Sequence, residues 1–202
     1  MRNKVMGKKS TLQIYATNSR RILSCYFYNF LELLAVKTKL FEKLLSTWRI
    51  PVFLKEIEMA KVTKKDKVLL IGCGIFPSET VLISETTKAK TIGIDNSRNA
   101  VNLAKKYVQK KDLTDLVTIQ YADGVDIQLN TFDVIFIAIN VFPIDSVLKH
   151  VASSMNNAAR IMCKSINNDI PDVLKRTGLS QRLKIEKKIE NPKTQSFLLI
   201  KK

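Results

Sequence analysis

Cysteine is scarce and scattered. Cys25, Cys73 and Cys163 are odd in number and far apart, which excludes a disulfide framework and a zinc site of the paired-cysteine kind, and points to a reducing, cytoplasmic compartment. Long apolar runs are missing as well. The most apolar early stretch, Ile22 to Val36, is interrupted by Asn29 and Glu32 and falls short of the ~20 residues a spanning helix needs, so no transmembrane segment is expected. The basic start from Met1 to Ser10 is not followed by an apolar segment with a small-residue cleavage site, and secretion is not expected either. No internal repeat and no Gly/Ser- or Pro-rich linker divides the chain, whose 202 residues fit one ordinary domain.

Acidic residues are in short supply, 18 against 34 Lys and Arg, and the resulting net charge of +16 is unevenly spread. Residues 1–67 carry an excess of +10, residues 68–170 are balanced, and residues 171–202 carry +6. The basic flanks are suited to nucleic acid, an anionic membrane surface or an acidic metabolite. Solvated lysines without a partner are the plainer reading. With 46% hydrophobic and 26% charged residues, the chain has the composition of a soluble globular protein rather than a disordered one.

What is present falls into two patterns. From Thr11 to about Lys61 apolar residues recur at helical spacing, as in Leu31, Leu34, Ala35 and Leu44, Leu45, Trp48. A break is expected at Ile50-Pro51, because the residue before proline is pushed out of the α region. From Lys67 onward strands and helices alternate. The run Lys67 to Ile71 ends in Gly72-Cys73-Gly74, which suits a strand buried on both faces and followed by a tight turn. Pro77 opens a helix reaching about Lys88. Thr91 to Ile94 is a second strand ending at Asp95, and Ser97 caps a helix through about Gln109. Val117 to Tyr121 and Phe132 to Ala138 are further strands, Ile144 to Met155 a helix, and Ala158 to Cys163 a fifth strand. Leu183 to Ile189 and Ser196 to Ile200, with Asn191-Pro192 between them, read as an antiparallel hairpin at one edge. The alternation implies an α/β, doubly wound, mostly parallel sheet covered on both faces.

In such sheets ligands bind beyond the carboxyl ends of the strands, where the strand order reverses. Gly72 and Gly74 end the first strand, where missing side chains let backbone approach a ligand. Asp95 follows Gly74 by 21 residues, close to the ~20 expected for a carboxylate that accepts hydrogen bonds from ribose hydroxyls. Asp123-Gly124 follow the third strand, where the aspartate can accept from an adenine amine. Asn140 follows the fourth strand. Taken singly these are turn or cap residues as readily as ligand residues; their joint placement carries the reading.

Here the sequence resembles the class I S-adenosylmethionine-dependent methyltransferases, over about residues 60–165. Their first motif usually has an acidic residue two positions before Gly-x-Gly-x-Gly. Val68-Leu-Leu-Ile-Gly-Cys-Gly-Ile-Phe-Pro77 keeps the first two glycines, with Leu70 at the acidic position and Phe76 at the third glycine. The form Gly-x-Gly-x-x-Pro, with Ile94-Asp95-Asn96, is similar to nicotianamine synthases and their relatives, which transfer the aminocarboxypropyl arm of the same cofactor. The resemblance implies a Rossmann-like domain over residues 63–202, with residues 1–62 as a helical extension or lid. It implies S-adenosylmethionine as cofactor, with Gly72, Cys73, Gly74 and Pro77 at the methionine end, Asp95 and Asn96 at the ribose, Asp123 and Gly124 at the adenine, and Asn140 near the reactive end. The expected activity is methyl transfer to a small-molecule acceptor, with aminocarboxypropyl transfer and RNA methylation as the alternatives. Phe76-Pro77 obstructs the close approach that a dinucleotide pyrophosphate needs.

No metal and no dedicated base are required for methyl transfer, since positioning opposite the sulfonium does most of the work. His150, the only histidine, lies mid-helix and reads as a surface or packing residue. Asn140-Val-Phe-Pro143 only partly resembles the Asn-Pro-Pro-aromatic loop of amino-group methyltransferases. Tyr26, Phe27, Tyr28 and Phe30 read as core packing, or as a lid over the acceptor.

Overall fold

A computed structural model describes Phe27 and residues 30–166, 169–191 and 194–202. Five parallel strands make up most of the sheet, and the central ones are apolar on both faces. β1 (Lys67–Ile71) is buried from Val68 to Ile71, and β4 (Val134–Ile137) is buried throughout. β2 (Lys90–Asp95), β3 (Val117–Tyr121) and β5 (Arg160–Ser165) complete the parallel set. β6 (Leu183–Glu190) and β7 (Gln195–Lys201) add the antiparallel hairpin, β7 pairing with β5. The strand order is β3-β2-β1-β4-β5-β7-β6. The chain steps outward from β1 to β3 and then crosses back to β4, so the order reverses between β1 and β4. That is the position at which an open sheet of this kind leaves a crevice.

Alternate residues of each strand feed two cores. Val68 and Leu70 of β1 join Val134 and Phe136 of β4 on one face, under α2 (Lys39–Met59), α3 (Ser78–Thr87) and α4 (Arg98–Lys110). Leu69 and Ile71 join Ile135 and Ile137 on the other, under α5 (Ile144–Ser154) and α6 (Ile170–Arg176). Ser97 caps α4 as expected, its hydroxyl accepting from the Ala100 N–H at 3.3 Å. Pro77 is one step earlier than the first helical turn, serving as the N-cap of α3.

Helix α1 (residues 30–37) precedes α2. The break expected at Ile50-Pro51 does not occur: α2 runs through Pro51 to Met59. Residues on both sides of the proline, Phe41 and Leu45 before it and Phe53 and Ile57 after it, dock on the same core, and this packing outweighs the local preference. The Phe53 ring lies 5.3 Å from that of Phe136. Two polar ties reinforce it. Glu42 of α2 accepts from the Tyr107 hydroxyl at 2.8 Å and pairs with Lys111 at 2.6 Å. Arg160 of β5 donates to the carbonyls of Ala60 and Lys61 and pairs with Asp66. Phe27 and Phe30 are exposed, so the core-packing reading fails for these two; Tyr26 and Tyr28 lie outside the described residues. Among the described residues no helix is long and apolar enough to cross a membrane, and no group of three or more His, Cys, Asp or Glu could hold a metal ion.

If α2 is an integral wall of the core, Phe53→Ala should cost about 3–5 kcal/mol of stability, as large aromatic truncations at buried sites do. Urea unfolding followed by circular dichroism would read this as a shifted midpoint with an unchanged slope, and a shift too small to resolve would contradict the packing.

Candidate active site

The carboxyl ends of β1, β2 and β3 converge on one rim, and backbone donors do most of the holding. Gly72 and Cys73 both donate from their N–H groups to the Ile94 carbonyl, at 2.8 and 2.9 Å, turning the chain over β2 as soon as β1 ends. Gly72 and Gly74 adopt φ of +82° and +69°, a conformation that glycine reaches without the steric cost of a side chain. Space is equally tight. A Cβ on Gly72 would lie 2.7 Å from Val141 Cγ2 in the turn after β4.

Asp95 closes the arrangement. Its Oδ2 accepts from the Gly74 N–H at 3.0 Å, and its Oδ1 accepts from the Ser97 N–H at 2.9 Å. One carboxylate therefore ties the β1 turn to the start of α4. The Ala122 N–H donates to the Asp95 carbonyl at 3.2 Å, which brings the loop after β3 alongside. In that loop Asp123 is exposed and its Oδ1 accepts from the Val125 N–H at 3.1 Å. Gly124 is buried against the end of β1, where an added Cβ would meet Ile71 Cγ2 at 2.7 Å.

The structure thus brings Gly72, Cys73, Gly74, Asp95, Asp123 and Gly124 together. Asn96 is exposed beside Asp95, and Asn140 is exposed in the turn after β4, which packs on Gly72 through Val141. Pro77 is buried at the entry to α3. The Phe76 ring is 2% exposed and packs edge-on to Tyr107 at 5.0 Å, so it belongs to the core. Leu70, at the position where an acidic residue was the family pattern, is a fully buried core residue. His150 sits within α5, with Nε2 2.8 Å from the Ile127 carbonyl.

Five charged residues at this edge, Glu32, Arg49, Glu56, Glu79 and Lys164, carry no signal in sequence spacing. Glu32 of α1 lies over the glycine turn: its Oε2 accepts from the Ile75 N–H at 3.2 Å, and its Oε1 accepts from both terminal nitrogens of Arg49 at 3.1 Å. Lys164 of β5 stands 2.9 Å from Glu79 of α3 and 3.3 Å from Glu56 of α2, and the Ser196 hydroxyl donates to Glu56 at 2.5 Å. Burial pushes the carboxyls of Glu32 and Glu56 up against the pull of Arg49 and Lys164 respectively. For Glu79 burial pulls the same way, but Lys164 and Arg49 outweigh it and hold it down. Burial would lower Lys164, and the two carboxylates outweigh that and raise it. A cavity of about 10 Å³ beside Phe53, Phe136 and Lys164 has room for one water at most. The signal for Glu32 was present: it interrupts an apolar helical stretch, where a carboxylate is costly unless paired.

The methyltransferase domain family matches residues 62–196, about two thirds of the chain. The chain belongs to that family. No curated protein is detectably similar to it in sequence. Among solved structures, a glutamate-to-glutamine mutant of the nicotianamine synthase MtNAS superposes with a TM-score of 0.76 at 14% identity, covering 95% of this chain and 78% of that one. An RNA methyltransferase from Salinibacter ruber, solved in complex with S-adenosyl-L-homocysteine, superposes with a TM-score of 0.61 at 13% identity over 75% of this chain and 90% of that one. A SAM-dependent methyltransferase from Aquifex aeolicus gives 0.62 at 18% identity over 73% and 88%. These identities establish the fold, and the family makes this methyltransferase-domain chain an enzyme whose implied methyl donor is S-adenosylmethionine.

Cys73 and Cys163 are both buried in this methyltransferase. Burial, and then the neighbouring carboxylates of Asp95 and Glu32, push the Cys73 thiol far above the ordinary range; burial and then Asp169 do the same for Cys163. Iodoacetamide at about pH 8, where an ordinary thiol reacts, should leave both unmodified in the native chain and alkylate both after denaturation. Peptide mass mapping reads the outcome, and native alkylation of Cys73 at a free-thiol rate would contradict the burial.

Proposed function

We propose that this methyltransferase uses S-adenosylmethionine to methylate a small-molecule acceptor, in the cytoplasm, with the helices before residue 62 closing over the site and selecting the acceptor. The observation that carries the reading is the Asp95 carboxylate bonded to the Gly74 N–H, which sets a ribose acceptor directly against a glycine turn. Each Asp95 oxygen is engaged by one N–H and retains a lone pair, so the carboxylate fits a pair of ribose hydroxyls. Asp123 has Oδ1 held by its own loop and Oδ2 to accept from the adenine amine, while Gly124 keeps the floor flat. The turn at Gly72 to Gly74 would carry the methionine end, with Pro77 holding the entry to α3, Asn96 beside the ribose and Asn140 at the reactive end.

The bound donor supplies an electrophilic methyl group on a sulfonium, activated without help from the protein. The chain's own residues then have to orient the acceptor and exclude water. A shallow cleft at the carboxyl ends of β4 and β5, lined by Ala138, Val141, Lys164, Ser165 and Asp169, lies on the side where the acceptor would approach. Phe27, and Phe30 at the start of α1, are exposed and are available to cover an acceptor.

A second reading, aminocarboxypropyl transfer, is favoured by one observation. The likeness to MtNAS extends over 95% of this chain, whereas the likeness to the Salinibacter ruber and Aquifex aeolicus enzymes extends over 75% and 73%. Incubation with S-adenosylmethionine and a panel of small acceptors, followed by mass spectrometry of the nucleoside product, separates the two. Methyl transfer leaves S-adenosylhomocysteine; accumulation of methylthioadenosine would replace it with arm transfer. Asp95→Ala should weaken S-adenosylhomocysteine binding at least about tenfold, or about 1.4 kcal/mol, and an unchanged affinity would remove Asp95 from the site.

A further inference from the structure

The first strand ends without a carboxylate, since Leu70 is spent on the core. The donor proposed above nevertheless carries an ammonium on its amino-acid arm, and a cation in a partly buried crevice needs an opposite charge to offset lost hydration. The direction in which that arm runs follows from the sheet. Asp95 marks the ribose, and the loop at Asp123-Gly124 lies on the β3 side of it, so a ligand with its adenine there extends its other end toward β1 and the Gly72–Gly74 turn. Two carboxylates reach this turn among the described residues. Asp95 is one, and both of its oxygens are already aligned by the Gly74 and Ser97 N–H groups. Glu32 is the other.

Glu32 is placed on the turn itself. Its Oε2 lies 2.7 Å from where a Cβ on Gly74 would stand, so the carboxylate rests on bare backbone and only glycine leaves room for it. Arg49 grips Oε1 with both terminal nitrogens, which fixes the side chain's direction while the Ile75 N–H takes Oε2. The side chain is 12% exposed, open enough to touch a ligand and closed enough for its charge to matter. Burial raises its carboxyl even with Arg49 alongside, and a second cation placed against it would favour its charged form.

We propose that Glu32, contributed by the N-terminal helix and aimed by Arg49, receives the α-ammonium of the donor's methionine arm in place of a carboxylate at the end of β1. The proposal rests on the reading of the rim as an S-adenosylmethionine site. It makes the helical extension part of the cofactor site as well as a cover for the acceptor, and it makes Glu32 a binding residue whose charge sets the preference for an intact amino-acid arm.

Calorimetric titration of the full chain with three ligands tests it: S-adenosylhomocysteine, its analogue with the α-amino group replaced by hydrogen, and 5′-methylthioadenosine, which lacks the arm. The wild-type chain should bind S-adenosylhomocysteine at least about tenfold more tightly than the deaminated analogue. Glu32→Gln should shrink that gap below about threefold while leaving methylthioadenosine affinity unchanged. Equal wild-type affinity for the first two ligands overturns the proposal and leaves the cofactor reading intact, as does a gap that persists in Glu32→Gln. Failure of all three ligands to bind the wild-type chain overturns both. The wild-type comparison needs no variant, so it can overturn the proposal even where Glu32→Gln does not fold, and Arg49→Ala, which frees the Glu32 side chain, should then narrow the gap in its place.

Discussion

The contact between the Asp95 carboxylate and the Gly74 N–H, 3.0 Å long, joins the two loops on which the rest of the site is built. Gly72 and Gly74 both have positive φ, and a turn of that shape collapses or wanders unless its N–H groups are given fixed acceptors. Ile94 supplies one acceptor through its carbonyl, taking Gly72 and Cys73. Asp95 supplies the next, and its second oxygen reaches the Ser97 N–H at the head of α4. A hydrogen bond to an ionised acceptor is worth more than a neutral one, so this one carboxylate stiffens the turn and starts the following helix. Because β1 and β2 are neighbours and β4 lies on β1's other side, the stiffened turn stands at the crevice that the reversed strand order leaves open.

Around that turn charge is distributed against the overall balance of the protein. The chain carries +16, yet the rim holds Glu32, Glu56 and Glu79 together, answered by Arg49 and Lys164. Removing one partner from such a set would leave a buried charge uncompensated, which is far costlier than never having placed the set there. The cluster ties α1, α2, α3 and β5 to one another at the edge where chemistry is expected. The N-terminal helices are consequently anchored on the sheet by apolar contacts through Phe53 and Ile57, and on the rim by ion pairs.

Much of this was legible in the sequence where a local rule and the tertiary structure agree. Lys67 to Ile71 read as a buried strand because four consecutive apolar residues serve both faces of a parallel sheet, and Ser97 read as a cap because a hydroxyl before a helix has an N–H to satisfy. The hairpin at the C-terminal edge followed from two apolar or alternating runs with a turn between them. The convergence of Gly72, Gly74, Asp95 and Gly124 followed from their places at strand ends. Where the two levels disagree, the sequence misled. Pro51 forbids one helical hydrogen bond, but two apolar side chains before it and two after it dock on the core and carry α2 through. α6 is short, Ile170–Arg176, too brief for helical periodicity to announce it. Glu32, Glu56, Glu79 and Lys164 are far apart in the chain, and no spacing rule connects residues that only the folded sheet brings together.

The central claim is that these loops form one cradle for an adenosyl ligand. A crystal structure of the protein grown with S-adenosyl-L-homocysteine tests it most directly. The account requires the ribose hydroxyls within hydrogen-bonding distance of Asp95 and the amino-acid arm lying across the Gly72–Gly74 turn. A ligand bound elsewhere on the molecule, or an adenosyl group whose ribose faces away from Asp95, would contradict it.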